Sequence, residues 1–224
     1  MLARRVGREE PRPVMTAQAK ADQYARVAER WTEREYANSA ATLSRRAGLV
    51  VGLGPRLEPG DVVLELACGD GSLGDYLLAH GLRYNGVDAT PEMVEAANRR
   101  LGGRSTAELG DLNTYVPAQP VAATTLFRAI YYAGDRRAFF RRVAGFTERK
   151  LLFDLNPRQY DTATVVDDLR AAGWDHVALQ PFFVPTTAAL PRPALAAARA
   201  LERTGLLARL VLRYRFAYVV AAWR

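Results

Sequence analysis

The sequence predicts an α/β fold, a mostly parallel sheet with helices on both faces. Two observations lead there. Short apolar runs rich in Val, Leu and Phe alternate with amphipathic segments of helical period, and Gly or Pro marks most of the junctions. Strands that alternate with helices pair in parallel through right-handed crossovers. The 224 residues are 49% apolar and 25% charged, an ordinary globular balance in a chain long enough to bury a large core. No apolar run reaches the roughly 20 residues that cross a bilayer, and no apolar stretch follows the basic N-terminus as a secretory signal requires. A single cysteine, Cys68, allows no internal disulfide, so a reducing, cytoplasmic setting is expected.

Residues 1–17 mix Arg, Glu and Pro without a period and read as a tail. Tyr24, Val27, Ala28 and Trp31 recur at helical spacing and predict a helix over 17–38, with a second over 39–53 broken by Gly54 and Pro55. The two make a helical cap over 18–56, ahead of a core over 57–180 and a strand–helix–strand ending over 181–224. In the core, DVVLEL, YNGVDA, STAELG, VAATTLF and KLLFDL read as strands. The helices between them are SLGDYLLAH, PEMVEAANRRL and RRAFFRRVAGF, and TATVVDDLRAAGW follows. Thr90-Pro91 is a strong helix start, because Pro suits the first helical position. HVALQPFFV and RFAYVVAAW are two further strands, separated by one basic amphipathic helix opened by Pro191 and Pro193; a short return would make the last strand antiparallel.

The net charge is +7, and only Lys20 and Lys150 among the 31 basic residues are lysines. Such lopsided arginine use suggests coding bias, so the placement of charge says more than its sum. Between Pro191 and Arg224 seven arginines meet one acid, Glu202. That segment is either a solvated face or a patch for phosphate or an anionic membrane surface, with Leu206, Leu207, Leu210, Val211 and Tyr214 on one side and Arg209 and Arg213 on another.

The informative segment is VLELACGDGSLG, residues 63–74. It places Gly69-x-Gly71-x-x-Gly74 after a strand and at the start of a helix. Glycine lets the backbone turn sharply and approach a ligand, and the helix N-terminus offers unpaired N–H groups to an anion. Alone the triplet also fits a bare tight turn. Glu65 ends that strand, Asp88 ends the next, and Asp111 in GDLN follows the third, so three successive strands deliver an acid to one sheet edge. A carboxylate at Asp88 suits the two hydroxyls of a ribose.

These residues resemble the class I S-adenosylmethionine-dependent methyltransferase family. ELACGDG is similar to its glycine fingerprint with Ala67 in place of the usual first Gly, VDATPEM to its second motif and GDLN to its third; the likeness covers roughly 23–223. It implies a Rossmann-like, doubly wound sheet of seven strands with the last antiparallel. It also implies S-adenosyl-L-methionine as cofactor, with Glu65 and the loop from Ala67 through Gly69 to Gly71 lining the methionine part. Asp88 and Ala89 would then meet the ribose, with Met93 packed nearby, and Asp111 and Leu112 the adenine. Phe127 joins the cofactor wall, and Tyr24 or Tyr36 from the cap contacts the methionine carboxylate or packs between helices. A nicotinamide-dependent oxidoreductase shares the fingerprint, but Ala67-Cys68 lengthens the turn and Asp111 has no task there.

Candidate groups around the acceptor follow the fourth strand in LFRAIYYAGD. Tyr131 and Tyr132 could act on the acceptor or face a sulfonium, or simply pack, and Arg128 could orient an acidic acceptor. Asp154 and Asn156 sit on the same edge, to touch substrate or to cap a turn. Cys68 reads as chemically inert, and His80 and His176 as structural, with no metal expected. The acceptor expected is a small molecule such as a secondary metabolite or sugar. Nucleic acid fits less well without a recognisable binding module, and an amphiphile at a membrane surface is the third possibility.

Overall fold

Residues 32, 36–185, 188–212 and 217–224 are described by the computed structural model. The helix expected over 17–38, Tyr24 within it, falls mostly outside these residues. Helix α1 (Ser39–Gly52) precedes β1 (Val62–Leu66), α2 (Ser72–Ala79), β2 (Arg83–Asp88), α3 (Pro91–Leu101) and β3 (Thr106–Leu109). Then come β4 (Val121–Leu126), a 3₁₀ turn at Ile130–Tyr132, α4 (Arg136–Phe146), β5 (Thr147–Leu155), α5 (Thr162–Ala171) and β6 (His176–Phe182). Helices α6 (Arg192–Leu201) and α7 (Leu206–Leu212) lead to β7 (Ala217–Trp223).

The seven strands form one sheet in the order β3-β2-β1-β4-β5-β7-β6. Neighbours from β3 to β5 pair in parallel, while β7 runs antiparallel to both β5 and β6. Alternation along each strand divides the core between the two faces. Val63, Leu152, Val219 and Ala221 pack on the side of Leu43, Ala47, Val50, Leu73 and Leu77 from α1 and α2. Leu64, Leu66, Leu151, Phe153, Val220 and Ala222 pack on the other side, against Phe139, Phe140 and Val143 of α4 and Val165 and Leu169 of α5. With both faces covered, the central strands β1 and β4 are buried nearly throughout.

Local chemistry explains the element ends. Pro91 opens α3, and Gly102, at φ 55°, closes it in the left-handed region. Asp135 caps α4 by accepting from the Ala138 N–H at 3.0 Å, and Asp161 caps α5 through the Thr164 N–H at 3.0 Å. Strand β5 begins at Thr147, three residues before the expected KLLFDL. The polar start of the strand hid this: Arg149 is drawn to Asp61 at 2.9 Å, and the Thr147 and Thr124 hydroxyls bond across the strands at 2.6 Å. The single C-terminal helix expected after Pro191 is two, divided around Gly205. Glu202, the lone acid there, is buried at the break, where it accepts from Arg45 at 2.7 Å and from the Phe183 N–H at 2.9 Å. Leu207 and Leu210 of α7 are exposed, whereas Ala208 and Leu212 pack inward with Phe183. Arg213 and Tyr214 lie outside the described residues.

Gly74, the third glycine of the fingerprint, is a packing residue. A Cβ there would stand 2.7 Å from the ring of Tyr84, which is itself buried. Gly74→Ala is therefore expected to destabilise the protein by about 1–3 kcal/mol, as overpacking does, despite its better helix propensity. Urea unfolding checks this, and an unchanged midpoint would mean that Tyr84 gives way freely.

Candidate functional site

The order of strands reverses at β1, which lies between β2 and β4, and the crevice beyond its carboxyl end is where an open α/β sheet binds a ligand. The chain leaves β1 through Ala67 at φ 55°, a conformation that costs a residue with a Cβ about 1–2 kcal/mol. Gly69 and Gly71 follow at φ 56° and 69°. Gly71 at the start of α2 has no side chain to cap it, and the neighbouring Asp70 serves instead, accepting from the Ser72 N–H at 3.2 Å. Asp70 is buried and also accepts from the Thr32 hydroxyl at 2.8 Å and from Arg100 at 3.1 Å. The chain ahead of α1 is thereby tied to the glycine loop.

A cavity of about 400 Å³ opens above this loop. Of the residues singled out from the sequence, Glu65, Ala67, Gly69, Asp88, Ala89, Met93, Asp111, Leu112, Phe127, Arg128, Tyr131 and Tyr132 line it, as does Tyr36. Gly71 does not: a Cβ on it would lie 3.1 Å from that of Ala97, so its contact is with α3. Cys68 reaches the wall, but burial pushes its thiol well above the ordinary range, which disfavours the nucleophilic thiolate at neutral pH.

The three acids are held differently. Glu65 is 4% exposed and accepts from the Tyr84 hydroxyl at 2.7 Å; desolvation raises its pKa from 4.5 to about 8. Asp88 accepts from the Gly69 N–H and the Thr90 N–H, each at 2.9 Å, and so shapes the loop it faces; burial raises its pKa and these bonds oppose the rise. Asp111 is exposed and accepts from the Asn113 N–H at 2.8 Å, while the Asn113 amide bonds to the Tyr132 carbonyl at 3.1 Å. Arg142 of α4 donates to the Leu112 and Tyr115 carbonyls. The loop after β3 is thus fastened to the loop after β4.

A second cavity, of about 570 Å³, adjoins the first and shares Arg46, Arg128 and Tyr131 with it. Arg46, buried on α1, was missed from the sequence. It donates to the Tyr36 hydroxyl at 2.6 Å and to Asp154 at 3.1 Å, and its guanidinium lies 4.6 Å from the centre of the Phe127 ring. A readable signal existed: Arg46 falls on the apolar stripe of α1, three residues from Leu43 and Leu49 and four from Val50. Arg128 has a left-handed backbone at φ 56°, donates its N–H to Asp154 at 2.6 Å and stacks its guanidinium 5.3 Å from the Tyr36 ring. Tyr131 and Tyr132 pack together at 4.4 Å, Tyr131 being 49% exposed. Asp154 and Asn156 line the second cavity, and Asn156 also closes a turn by accepting from the Arg158 N–H at 3.0 Å. Thr32 and Asp70 were likewise missed, and their partnership spans 38 residues. His80 and His176 are exposed and line neither of these cavities, His176 stacking on Trp223 at 5.5 Å.

The model of a methyltransferase domain family matches residues 63–149, the stretch that carries Glu65, Asp88 and Asp111. Residues 63–149 are thus similar to a methyltransferase domain, in keeping with the resemblance carried by the glycine loop and the three acids. A protein of Mycobacterium tuberculosis (strain ATCC 25618 / H37Rv) that is named as a methyltransferase is 50% identical over 46 residues, 20% of this chain and 28% of that one. The matches to curated relatives thus span under a third of their length. Among solved structures, the [4+2]-cyclase SpnF aligns with a TM-score of 0.63 at 14% identity, over 95% of this chain and 98% of its own. Magnesium protoporphyrin IX methyltransferase from Synechocystis PCC 6803, solved with S-adenosylmethionine bound, aligns with a TM-score of 0.55 at 17% identity, over 91% and 83%. Those likenesses carry the fold.

The buried Glu65 gives the site a pH signature. Its folded pKa lies above its unfolded one, so the folded state holds a proton that the unfolded chain releases, and its contribution to stability falls as pH rises from about 4.5 through about 8. Glu65→Gln, a neutral isostere, is expected to match the parent near pH 4 and to become the more stable of the two towards pH 8. Urea midpoints across that range check this, and a difference independent of pH would remove the assignment.

Proposed function

We propose that this chain moves the methyl group of S-adenosylmethionine to a small-molecule acceptor. The observation that supports it is the meeting of Glu65, Asp88 and Asp111, from three consecutive strand ends, on one cavity within the stretch that matches the methyltransferase domain. The donor set fits the cofactor. Glu65, a desolvated carboxyl, is stabilised in its ionised form by a cation, Asp88 faces the cavity between two backbone donors, and a volume of about 400 Å³ takes a nucleoside with a short side chain.

When bound, S-adenosylmethionine supplies a methyl group already activated on a sulfonium. Transfer of that methyl carbon to the acceptor atom would break its bond to sulfur and leave the electron pair on sulfur. Glu65 and the Ala67–Gly69 turn hold the methionine part, Asp88 the ribose, and Asp111 with Leu112 the adenine. Arg128, Tyr131 and Tyr132 stand where the two cavities join and align the acceptor. Alignment of this kind supplies roughly 7–11 kcal/mol of a barrier. The second cavity receives the body of the acceptor.

Ligand-induced thermal shifts test the first step. S-adenosylmethionine and its demethylated product are expected to stabilise the protein by about 2.7 kcal/mol at a hundredfold their dissociation constants, and NAD to have no effect. Stabilisation by NAD alone would overturn the proposal. Asp88→Ala is expected to weaken cofactor binding by roughly tenfold or more, the loss of at least one charge-assisted bond of about 1.5–3 kcal/mol, as read by calorimetry. Tyr131→Phe and Tyr132→Phe are expected to lower transfer of a labelled methyl group more than cofactor affinity; unchanged transfer in both would return the pair to packing. The label also separates methyl transfer from other chemistry on this fold, which the cyclase neighbour makes a necessary control.

A further inference from the structure

We propose that the protein docks on an anionic membrane surface through α7, with Leu207 and Leu210 entering the apolar layer and the arginines of α6 and the turn after it meeting lipid headgroups. This docking is independent of the methyl-transfer reading. Helix α7 is apolar on two opposite sides. Ala208 and Leu212, one turn apart, are buried with Phe183. At about 100° per residue Leu210 points about 160° away from both of them, and it is 53% exposed. Leu207, on the same outer side, is 57% exposed, and Val211 beside it is half-buried. A helix that packs on one side turns polar residues outward. Paired leucines in their place mark a contact surface.

Charge selects the partner. Arg192, Arg199 and Arg203 are exposed. Glu202, the only acid between Arg192 and Leu212, is 3% exposed and turned inward to Arg45 and the Phe183 N–H. The neighbouring α1, β6 and β7 contain no acid. The charge that this part of the molecule shows to solvent is therefore of one sign. A two-fold contact with a second copy would set that arginine face against itself. Helices α6 and α7 also lack the Trp and Tyr that anchor protein interfaces. Leucines flanked by arginines instead suit a lipid surface, the former among acyl chains and the latter at headgroup level. Each arginine close to an anionic surface strengthens binding by about fivefold. Phe183 and Tyr218, against which α7 packs, are chain neighbours of Phe182, Val184, Ala217 and Val219, which line the second cavity. Docking through α7 thus sets that cavity close to the membrane.

Vesicle pelleting with the full chain tests this. Vesicles of phosphatidylcholine and phosphatidylserine in equal parts are expected to bind the protein about tenfold or more tightly than pure phosphatidylcholine, with the difference shrinking as salt is raised. Leu207→Gln combined with Leu210→Gln is expected to weaken that binding by about tenfold. Arg199→Gln combined with Arg203→Gln is expected to do so by about tenfold or more. Both pairs are exposed, so the thermal midpoint is expected to stay that of the parent. Leu210→Trp reports insertion directly: on the mixed vesicles its added fluorescence is expected to shift to the blue and to be quenched by brominated acyl chains. That readout separates insertion from mere adsorption of a chain with net charge +7. Equal binding to both vesicles, binding that survives the paired leucine change, or a Trp at 210 that stays unquenched would overturn the proposal. Without vesicle binding, self-association that the leucine variant abolishes would assign the face to a second copy, and binding to polyglutamate lost in that variant would assign it to an acidic protein; either result also overturns it.

Discussion

A parallel sheet covered on both faces has room for polar chemistry only at its strand ends, and the reversal of strand order at β1 decides which ends stand open. Most of the candidate groups obey this constraint, Tyr36 ahead of α1 and Arg46 within it being exceptions. Glu65, Asp88 and Asp111 stand at or just beyond β1, β2 and β3, Arg128 just beyond β4, and Asp154 at the end of β5. The side chains that bridge them are short or pinned. Asp88 grips two backbone N–H groups, Asn113 clips one loop to the next, and Asp154 holds an arginine by its backbone. The apolar layers carry the stability, and the rim is fixed by hydrogen bonds to main chain.

Two buried ionisable groups of the cavities meet the cost of desolvation in opposite ways. Glu65 is desolvated by burial, which outweighs the opposing bond from the Tyr84 hydroxyl, and its carboxyl therefore keeps its proton up to about pH 8. Arg46 is instead met by partners: it draws on Asp154, the Tyr36 hydroxyl and the face of Phe127. A group that sheds its charge stays responsive to whatever binds beside it. A group held by its partners becomes a fixed feature around which its neighbours are arranged.

What the sequence made legible follows from how far apart the partners are. Helices α3 and α4 were bounded to the residue, since Pro91, Gly102 and Asp135 act within a single turn. The glycine loop and the three acids were legible for the same reason, each belonging to a strand end with its own short pattern. Arg46, Thr32 and Asp70 were not, because their roles depend on contacts 108 and 38 residues away that no window along the chain contains. The first turn of β5 was hidden by Glu148 and Arg149, charges that suit a strand only because Arg149 meets Asp61. The break between α6 and α7 was hidden in turn, since Glu202 reads as a solvated acid until Arg45 is placed against it.

Gly71 shows why a motif and a contact surface are separate things. The fingerprint groups Gly69, Gly71 and Gly74 by spacing, yet only Gly69 meets the cavity; Gly71 makes room for Ala97 of α3 and Gly74 for the ring of Tyr84. The last of these reaches the site indirectly, because the hydroxyl of Tyr84 is what Glu65 leans on. Gly86 belongs to the same set, since a Cβ there would stand 2.8 Å from the Cys68 sulfur and 3.2 Å from the Tyr84 hydroxyl. Small residues around Tyr84 thus fix the ring, the ring fixes Glu65, and a carboxyl placed without water is one whose charge depends on its next neighbour. Packing two layers behind the cavity sets the electrostatics at its wall.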